Sequence, residues 1–188
     1  MQHEYLFQST RLGFRNWTND DLNEFAKLNA DPAVMEHFPG LLTREETKAF
    51  IERLKHQHEK TGYTYFATAI LETGEFIGFI GLGFKDFKAA FTPATDIGWR
   101  LKKSAWGKGY ATEGAKRCLE FAFETLKLEQ IISICPLKNV HSERVMKNSG
   151  MEKQVVFKHP QLQAFPELEM CSCYQLSRNQ WLKNRSIS

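Results

Sequence analysis

The sequence predicts a mixed α/β (α+β) fold, in which one sheet carries helices on its faces. Short runs of alternating apolar and polar residues, typical of strands, recur along the chain, and segments with apolar residues at helical spacing stand between them. A glycine-rich run, residues 106–115, joins one strand to the next helix past the middle of the chain. With 188 residues and no linker, repeat or low-complexity stretch, the chain fits a single domain, residues 1–188.

The first half of the chain predicts three strands and two main helices. Thr18 is expected to cap the first helix, because its side chain can accept a hydrogen bond from the first turn. Thr43 and Glu46 form a capping box for the second helix, which Gly62 is expected to end. The predicted strands are residues 11–17, 63–71 and 76–84, and the last two form a hairpin.

The second half predicts strands that alternate with two further helices. Pro136 is expected to stop one strand, and Gly150 to close the helix formed by residues 139–149. A loop containing Pro160 and Pro166 separates the last two strands. The predicted strands are residues 95–101, 130–135, 152–157 and 168–176, which gives about six to seven strands in all.

Composition narrows the class of protein. The 25 Lys and Arg residues against 22 Asp and Glu residues give a net charge of +3, spread too evenly to predict nucleic acid binding. The four cysteines show no CxxC pair and no metal-ligand spacing, so we expect reduced core residues and no metal. No apolar stretch approaches membrane-spanning length and no secretory leader is visible, so we expect a cytoplasmic protein without a membrane partner.

The glycine-rich run is the most informative segment. Gly107 and Gly109 allow a tight turn, and the helix that follows presents unpaired N–H groups beside the positive end of its dipole. Such a turn binds phosphate oxygens well. No Ser or Thr follows Lys108, as a Walker loop requires, and Thr112 stands where a dinucleotide fingerprint needs its third glycine. Spacing alone leaves two readings open, a phosphate site or a glycine-rich connection without a ligand.

A later segment distinguishes these readings. Residues 96–101 (Asp-Ile-Gly-Trp-Arg-Leu), the glycine run, and residues 139–151 (Asn-x-x-Ser-x-x-Val-Met-x-x-x-Gly-Met) follow one another in an order and spacing that resembles the GNAT superfamily of acetyl-coenzyme A-dependent N-acyltransferases. In particular, the chain resembles the branch that is similar to ribosomal-protein N-terminal acetyltransferases. Residues 10–15, 31–35 and 43–46 also resemble this branch, and the resemblance extends over residues 9–176.

The resemblance implies a central, mostly antiparallel sheet that opens around acetyl-coenzyme A. It implies that main-chain amides of the glycine turn hold the pyrophosphate and that the preceding strand borders the cofactor. Trp106 stands where the family usually has Arg or Gln, and Lys108 is either a phosphate contact or a solvated surface lysine. The implied cofactor-binding residues are Trp99, Arg100, Leu101, Trp106, Gly107, Lys108, Gly109, Tyr110, Ala111, Thr112, Asn139 and Ser142.

Asn139 and Ser142 lie one helical turn apart and share a face. The resemblance implies that Asn139 anchors the pantetheine arm and that the Ser142 hydroxyl donates a proton near the cofactor sulfur. From the residues alone, Asn139 is equally suited to cap the helix, and the two roles are compatible. Ser142 as an ordinary first-turn serine remains the alternative.

Asp96 is the candidate general base. Aminolysis of a thioester requires a group that takes the amine proton, and a partly desolvated carboxylate has its pKa raised toward neutrality. Alternation places Asp96, Gly98 and Arg100 on one face of the strand, so a structural Asp96–Arg100 ion pair is the competing interpretation. Glu113 is expected to act only as a negative charge in a first helical turn.

These features predict an acetyl-coenzyme A-dependent N-acetyltransferase that works by direct attack of a primary amine, without a covalent enzyme intermediate. The acceptor is a small-molecule amine or a peptide or protein N-terminus, the latter indicated by the branch resemblance. A non-catalytic acyl-coenzyme A-binding module is the alternative function. A monomer and a homodimer are both compatible with the sequence.

Overall fold

The structure, a computed structural model, describes residues 4–186 as one eight-stranded mixed sheet with helices on its faces. The strands are β1 (Phe7–Gln8), β2 (Leu12–Arg15), β3 (Tyr65–Ile70), β4 (Phe76–Lys85), β5 (Ala94–Leu101), β6 (Gln130–Pro136), β7 (Glu152–Lys158) and β8 (Met170–Ser177). Their order across the sheet is β1-β2-β3-β4-β5-β6-β8-β7. The mostly antiparallel sheet is confirmed, with one strand more than predicted, because the two residues of β1 are too few to show alternation.

The α-helices in residues 4–186 are α1 (Asp21–Asn29), α2 (Pro32–Met35), α3 (Arg44–Thr61), α4 (Tyr110–Glu120), α5 (Val140–Asn148), α6 (Pro166–Glu169) and α7 (Arg178–Ser186). A π-helical stretch, Phe121–Thr125, continues α4. The short helix α6 occupies the end of the predicted proline-containing loop, and β8 consequently begins at Met170.

Both predicted boundaries of α3 are confirmed, and the predicted start of α1 is wrong. Thr43 and Glu46 form the capping box of α3, and Gly62 ends that helix in the left-handed conformation at φ 77°. Thr18 does not cap α1. Instead its N–H and hydroxyl donate to Asp21 Oδ2 at 2.8 and 3.1 Å, and Asp21 forms a buried ion pair with Arg15. The Asp21 carboxylate stabilises a turn at residues 18–21, and α1 begins at Asp21, two residues later than a cap at Thr18 would place it.

The sheet separates two hydrophobic clusters. On one side α4 packs on β4 and β5, where Ile80, Ile97 and Leu119 are almost completely buried. On the other side α1 and α3 cover β3 and β4 through residues such as Phe25 and Phe79. Each face of β5 therefore meets a different environment. No helix among residues 4–186 combines the length and the apolar character needed to cross a bilayer.

Candidate active site

The sheet opens between β5 and β6, the only parallel neighbours among the described strands. These two strands share a single registered pair, Asp96 with Ile132, and the Ser133 hydroxyl donates to the Ile97 carbonyl at 2.8 Å. In contrast, β6 pairs with β8 over seven positions, so β6 follows β8 rather than β5. Beyond Ile97, the edge of β5 that faces β6 has no strand partner, while the other edge stays paired with β4.

Main-chain groups of alternate β5 residues point into this gap. The Ile97 carbonyl already faces β6, so strand alternation turns the N–H and C=O of Trp99 and Leu101 the same way. The Leu101 carbonyl accepts a hydrogen bond from Trp106 Nε1 at 2.8 Å, which closes the end of the gap. Trp106, in the place where the family usually has Arg or Gln, thus holds the glycine turn against β5.

Arg100 is oriented differently from its two neighbours. A Cβ atom on Gly78 would meet the Arg100 carbonyl oxygen, so this carbonyl faces β4. Lys102, two residues further along the chain and therefore directed the same way, donates its N–H to the Ile77 carbonyl at 2.9 Å. The Arg100 side chain lies on the opposite face of the sheet from α4 and donates to Asn29 Oδ1 at 2.7 Å. Neither its main chain nor its side chain faces the gap.

The glycine turn presents free N–H groups beside the gap. Gly107 and Gly109 adopt left-handed conformations at φ 73° and 81°, and no side chain caps α4. The first hydrogen bond within α4 runs from Glu113 N–H to the Gly109 carbonyl at 3.0 Å. The N–H groups of residues 110–112 precede it and have no helical partner, so they and the helix dipole form an anion-binding surface. The Lys108 side chain is exposed.

Arg11 braces this turn from the β1–β2 connection, a role that the sequence did not reveal. Glu113 accepts hydrogen bonds from the Ser9 hydroxyl, the Arg11 N–H and Arg11 Nε at 2.8, 2.8 and 2.6 Å. Arg11 also donates to the Lys108 carbonyl at 3.1 Å and stacks over the Tyr110 ring at 4.6 Å. Burial alone would raise the pKa of Glu113, but these donors outweigh it and hold the pKa below its usual value.

Asn139 caps α5, at the gap side of β6. Its Oδ1 accepts from the Ser142 N–H at 3.0 Å, so the capping interpretation is confirmed. The Asn139 amide group remains available to a ligand, and the half-buried Ser142 hydroxyl makes no hydrogen bond with any residue of 4–186. Both polar groups therefore retain hydrogen-bonding capacity for a ligand.

Asp96 lies on the face opposite α4, where it is 6% exposed. Its Oδ1 accepts from the Tyr65 hydroxyl at 2.6 Å and lies 3.8 Å from Lys85 Nζ. Burial raises the pKa of the Asp96 carboxyl, while the charge of Lys85 and the Tyr65 hydrogen bond oppose this rise. The alternative of an Asp96–Arg100 ion pair is wrong, because Arg100 reaches Asn29 instead.

Two glycines make room for the Tyr65 ring. A Cβ atom on Gly83 would lie 2.6 Å from the Tyr65 hydroxyl oxygen and 2.8 Å from Asp96 Oδ1. A Cβ atom on Gly98 would lie 3.1 Å from the Tyr65 ring. The glycines of β4 and β5 were visible in the sequence, but their relation to Tyr65 depends on the pairing of three strands.

Aromatic residues border this face. Phe87, Phe91, Phe157 and His159 form one cluster, with the His159 ring 4.4 Å from Phe87. Burial and the nearby charge of Lys85 lower the pKa of His159. Trp17 is buried, and its Nε1 donates to the Tyr65 carbonyl at 2.7 Å.

Comparison with known proteins identifies the family to which this fold belongs. Residues 11–152 match the family model of the acetyltransferase (GNAT) domain. The chain is 31% identical over 149 residues to an uncharacterised N-acetyltransferase, YnaD, of Bacillus subtilis, covering 79% of this chain and 83% of the relative. A GNAT-family acetyltransferase from Bacillus anthracis superposes with a TM-score of 0.77 at 25% identity, covering 92% and 98% of the two chains.

A second similar structure is RimL, a ribosomal-protein alpha-N-acetyltransferase solved with coenzyme A. Its TM-score is 0.75 at 16% identity, with 93% of this chain and 98% of that chain covered, so it supports the fold alone. The family match, the opened sheet and the glycine turn agree with one another. The chain belongs to the GNAT family of acetyltransferases and is an acetyl-coenzyme A-dependent N-acyltransferase.

Proposed function

We propose that this protein, as one acetyltransferase domain of residues 1–188, transfers the acetyl group of acetyl-coenzyme A to the primary amine of a peptide or protein N-terminus. One observation carries the proposal. The gap with its free main-chain groups lies between β5 and β6, and Asp96 stands on the same strand at the point where the gap begins. A cofactor in the gap and an amine near Asp96 would approach each other across β5.

The chain offers suitable partners for each part of the cofactor. The free N–H groups around residues 107–112 suit the pyrophosphate, whereas the Trp106 N–H already donates to the Lys103 carbonyl at 3.1 Å. The main-chain groups of Trp99 and Leu101 suit the amides of the pantetheine arm, as does the Asn139 side-chain amide. Arg100 does not belong to this set because its main chain faces β4. The cofactor supplies the activated acetyl group, and Asp96 and Ser142 accept and donate the protons of the reaction.

Asp96 accepts the proton that the amine nitrogen loses as the N–C bond forms and the C–S bond breaks. Burial raises its pKa, as suits a base, while the Tyr65 hydrogen bond and the charge of Lys85 favour the carboxylate form. Ser142 donates its hydroxyl proton to the departing thiolate and recovers a proton from water. This second demand is mild, because an ordinary thiol has a pKa of about 8.5.

Two observations support a peptide or protein N-terminus as the acceptor. The sequence motifs resemble those of ribosomal-protein N-terminal acetyltransferases, and RimL, which has the same fold, is described as an alpha-N-protein acetyltransferase. The aromatic residues around Phe87 and His159 offer a surface for an extended peptide on the Asp96 side. Polyamines, amino acids and aminoglycosides are the competing acceptors.

Mass spectrometry of a mixed pool of peptides and small amines, incubated with the protein and acetyl-coenzyme A, tests the proposal. We expect acetylated peptide N-termini, and we expect Asp96→Asn to lower kcat by about 100-fold or more while coenzyme A still binds. Asp20→Asn removes an exposed carboxylate without a side-chain hydrogen bond and is the matched control. Acetylation confined to small amines contradicts the peptide acceptor. Coenzyme A binding without turnover on any amine contradicts catalysis and favours the binding module.

A further inference from the structure

Arg100 carries a buried positive charge that no acidic side chain of residues 4–186 neutralises. The residue is 8% exposed, and its only hydrogen bond within that range runs from Nη1 to Asn29 Oδ1 at 2.7 Å. The Nε atom is completely buried and has no hydrogen-bond partner. Arginine in this position retains the Nε and Nη2 donors, which together form the fork that binds a carboxylate side-on.

The surroundings of this guanidinium are aromatic rather than acidic. Its carbon lies 4.0 Å from the centre of the Phe38 ring, 5.5 Å from Phe79 and 5.8 Å from Phe50. Ring faces attract a cation, but they neither neutralise it nor accept its in-plane N–H groups well. Burial lowers the pKa of Arg100 to about 10. The other buried arginine, Arg15, is by contrast paired with Asp21 at 2.6 Å.

Arg100 lies on the acceptor side of the site. It shares a face of β5 with Asp96, and only Gly98, which has no side chain, separates them on that face. The two positions are four residues apart, or about 13 Å along an extended strand. Phe38, whose ring lies nearest the guanidinium, is half-buried and lies between α2 and α3.

We infer that Arg100 recognises a carboxylate of the acceptor, at a distance of a few residues from the amine that is acetylated. The inference rests on the proposed function. A separation of about 13 Å corresponds to roughly three to four extended residues. A peptide whose amine lies at Asp96 would therefore bring its second to fourth residue to Arg100. The carboxylate can come from an acidic side chain at those positions or from the free carboxyl end of a very short peptide.

Matched peptides distinguish these sources. One set carries Glu or Gln at position two, three or four of an otherwise neutral peptide with an amidated end. A second set consists of neutral dipeptides to tetrapeptides with a free or an amidated carboxyl end. We expect kcat/KM to be about 10- to 100-fold higher for the acidic member at one position or length, as for a hydrogen-bonded charge pair. The set in which the preference occurs identifies the source of the carboxylate.

Variants then connect this preference to Arg100. We expect Arg100→Gln to reduce the acid-to-neutral ratio of kcat/KM to about one, a loss of the same 10- to 100-fold. Arg53→Gln is the matched control, because Arg53 is exposed and lies over the same Phe50 ring at 5.4 Å. The wild-type ratio needs no variant, so the test stands even where Arg100→Gln fails to fold.

The outcomes separate this inference from the proposed function. Equal kcat/KM values for all acidic and neutral pairs overturn the carboxylate role of Arg100 and leave peptide acetylation intact. A preference that survives unchanged in a folded Arg100→Gln protein also overturns it. Failure to acetylate any peptide overturns both the peptide acceptor and the inference that rests on it.

Discussion

The Tyr65 hydroxyl donates a 2.6 Å hydrogen bond to Asp96 Oδ1, across a sheet face that two glycines keep open. Tyr65 comes from β3 and Asp96 from β5, with β4 between them. The ring crosses β4 at Gly83, where any larger residue would collide with both polar atoms. The candidate base is therefore tuned by a residue two strands away.

Replacing Tyr65 by Phe tests this tuning. The hydroxyl stabilises the carboxylate form of Asp96, so its loss raises the pKa of Asp96 further. Since catalysis needs the carboxylate, the acidic limb of the kcat/KM profile is expected to move to higher pH, with a loss of about tenfold at neutral pH that recovers at alkaline pH. Tyr63→Phe, which removes a 3.1 Å hydrogen bond to Thr95, is the control and should leave the profile in place. An unchanged limb in Tyr65→Phe would exclude Asp96 as the titrating base.

Gly83→Ala is expected to damage catalysis more than stability. The added Cβ must displace Tyr65 or Asp96, because it would lie 2.6 and 2.8 Å from their polar oxygens. We expect kcat to fall more than tenfold, while calorimetry shows an unchanged affinity for coenzyme A, since the gap lies beyond Ile97 on the β6 side of β5. Gly40→Ala, at a position with open space around it, should have neither effect. Retained turnover in Gly83→Ala would show that Tyr65 need not occupy this place.

Gly109→Ala tests the glycine turn. Its φ of 81° is unfavourable for any residue with a Cβ, by about 1–2 kcal/mol. We expect the turn to relax and the Kd for coenzyme A, measured by calorimetry, to rise about tenfold. Gly74→Ala imposes a similar strain at φ 70° in the β3–β4 hairpin and should lower Tm without changing this Kd. Equal Kd values in both variants would count against the turn as the pyrophosphate site.

Glu113→Gln is expected to loosen the brace between the β1–β2 connection and α4. Replacing a carboxylate that accepts three hydrogen bonds should cost about 1 kcal/mol, discounted because Arg11 is half exposed, and lower Tm by about 2–4 °C. The pKa of Glu113 is lower in the folded state, so its contribution is present above the unfolded pKa and lost as the pH falls through the folded one. Thermal melts of both proteins should therefore converge in acid; a constant difference would contradict the ionic brace.

Much of the fold could be predicted from local patterns. The capping box of Thr43, the αL glycine at position 62 and the Asn139 cap each depend on a few neighbouring residues, and the structure confirms them. The cap at Thr18 was predicted wrongly because the neighbouring Arg15–Asp21 pair competes for the same turn. The two residues of β1 and the short helix α6 carried too little periodicity to be predicted.

The sequence by itself determined the order of seven strands and four helices, the glycine turn and the family to which they belong, because these depend on the spacing of residues along one segment. The tertiary structure alone decided which groups surround each charge. In the folded chain Asp96 contacts Tyr65 and Lys85, and Arg11 forms an ion pair with Glu113. Arg100 contacts Asn29 and three aromatic rings. Electrostatic partners are selected by strand register and helix packing between segments far apart in the chain, and no local pattern carries that information.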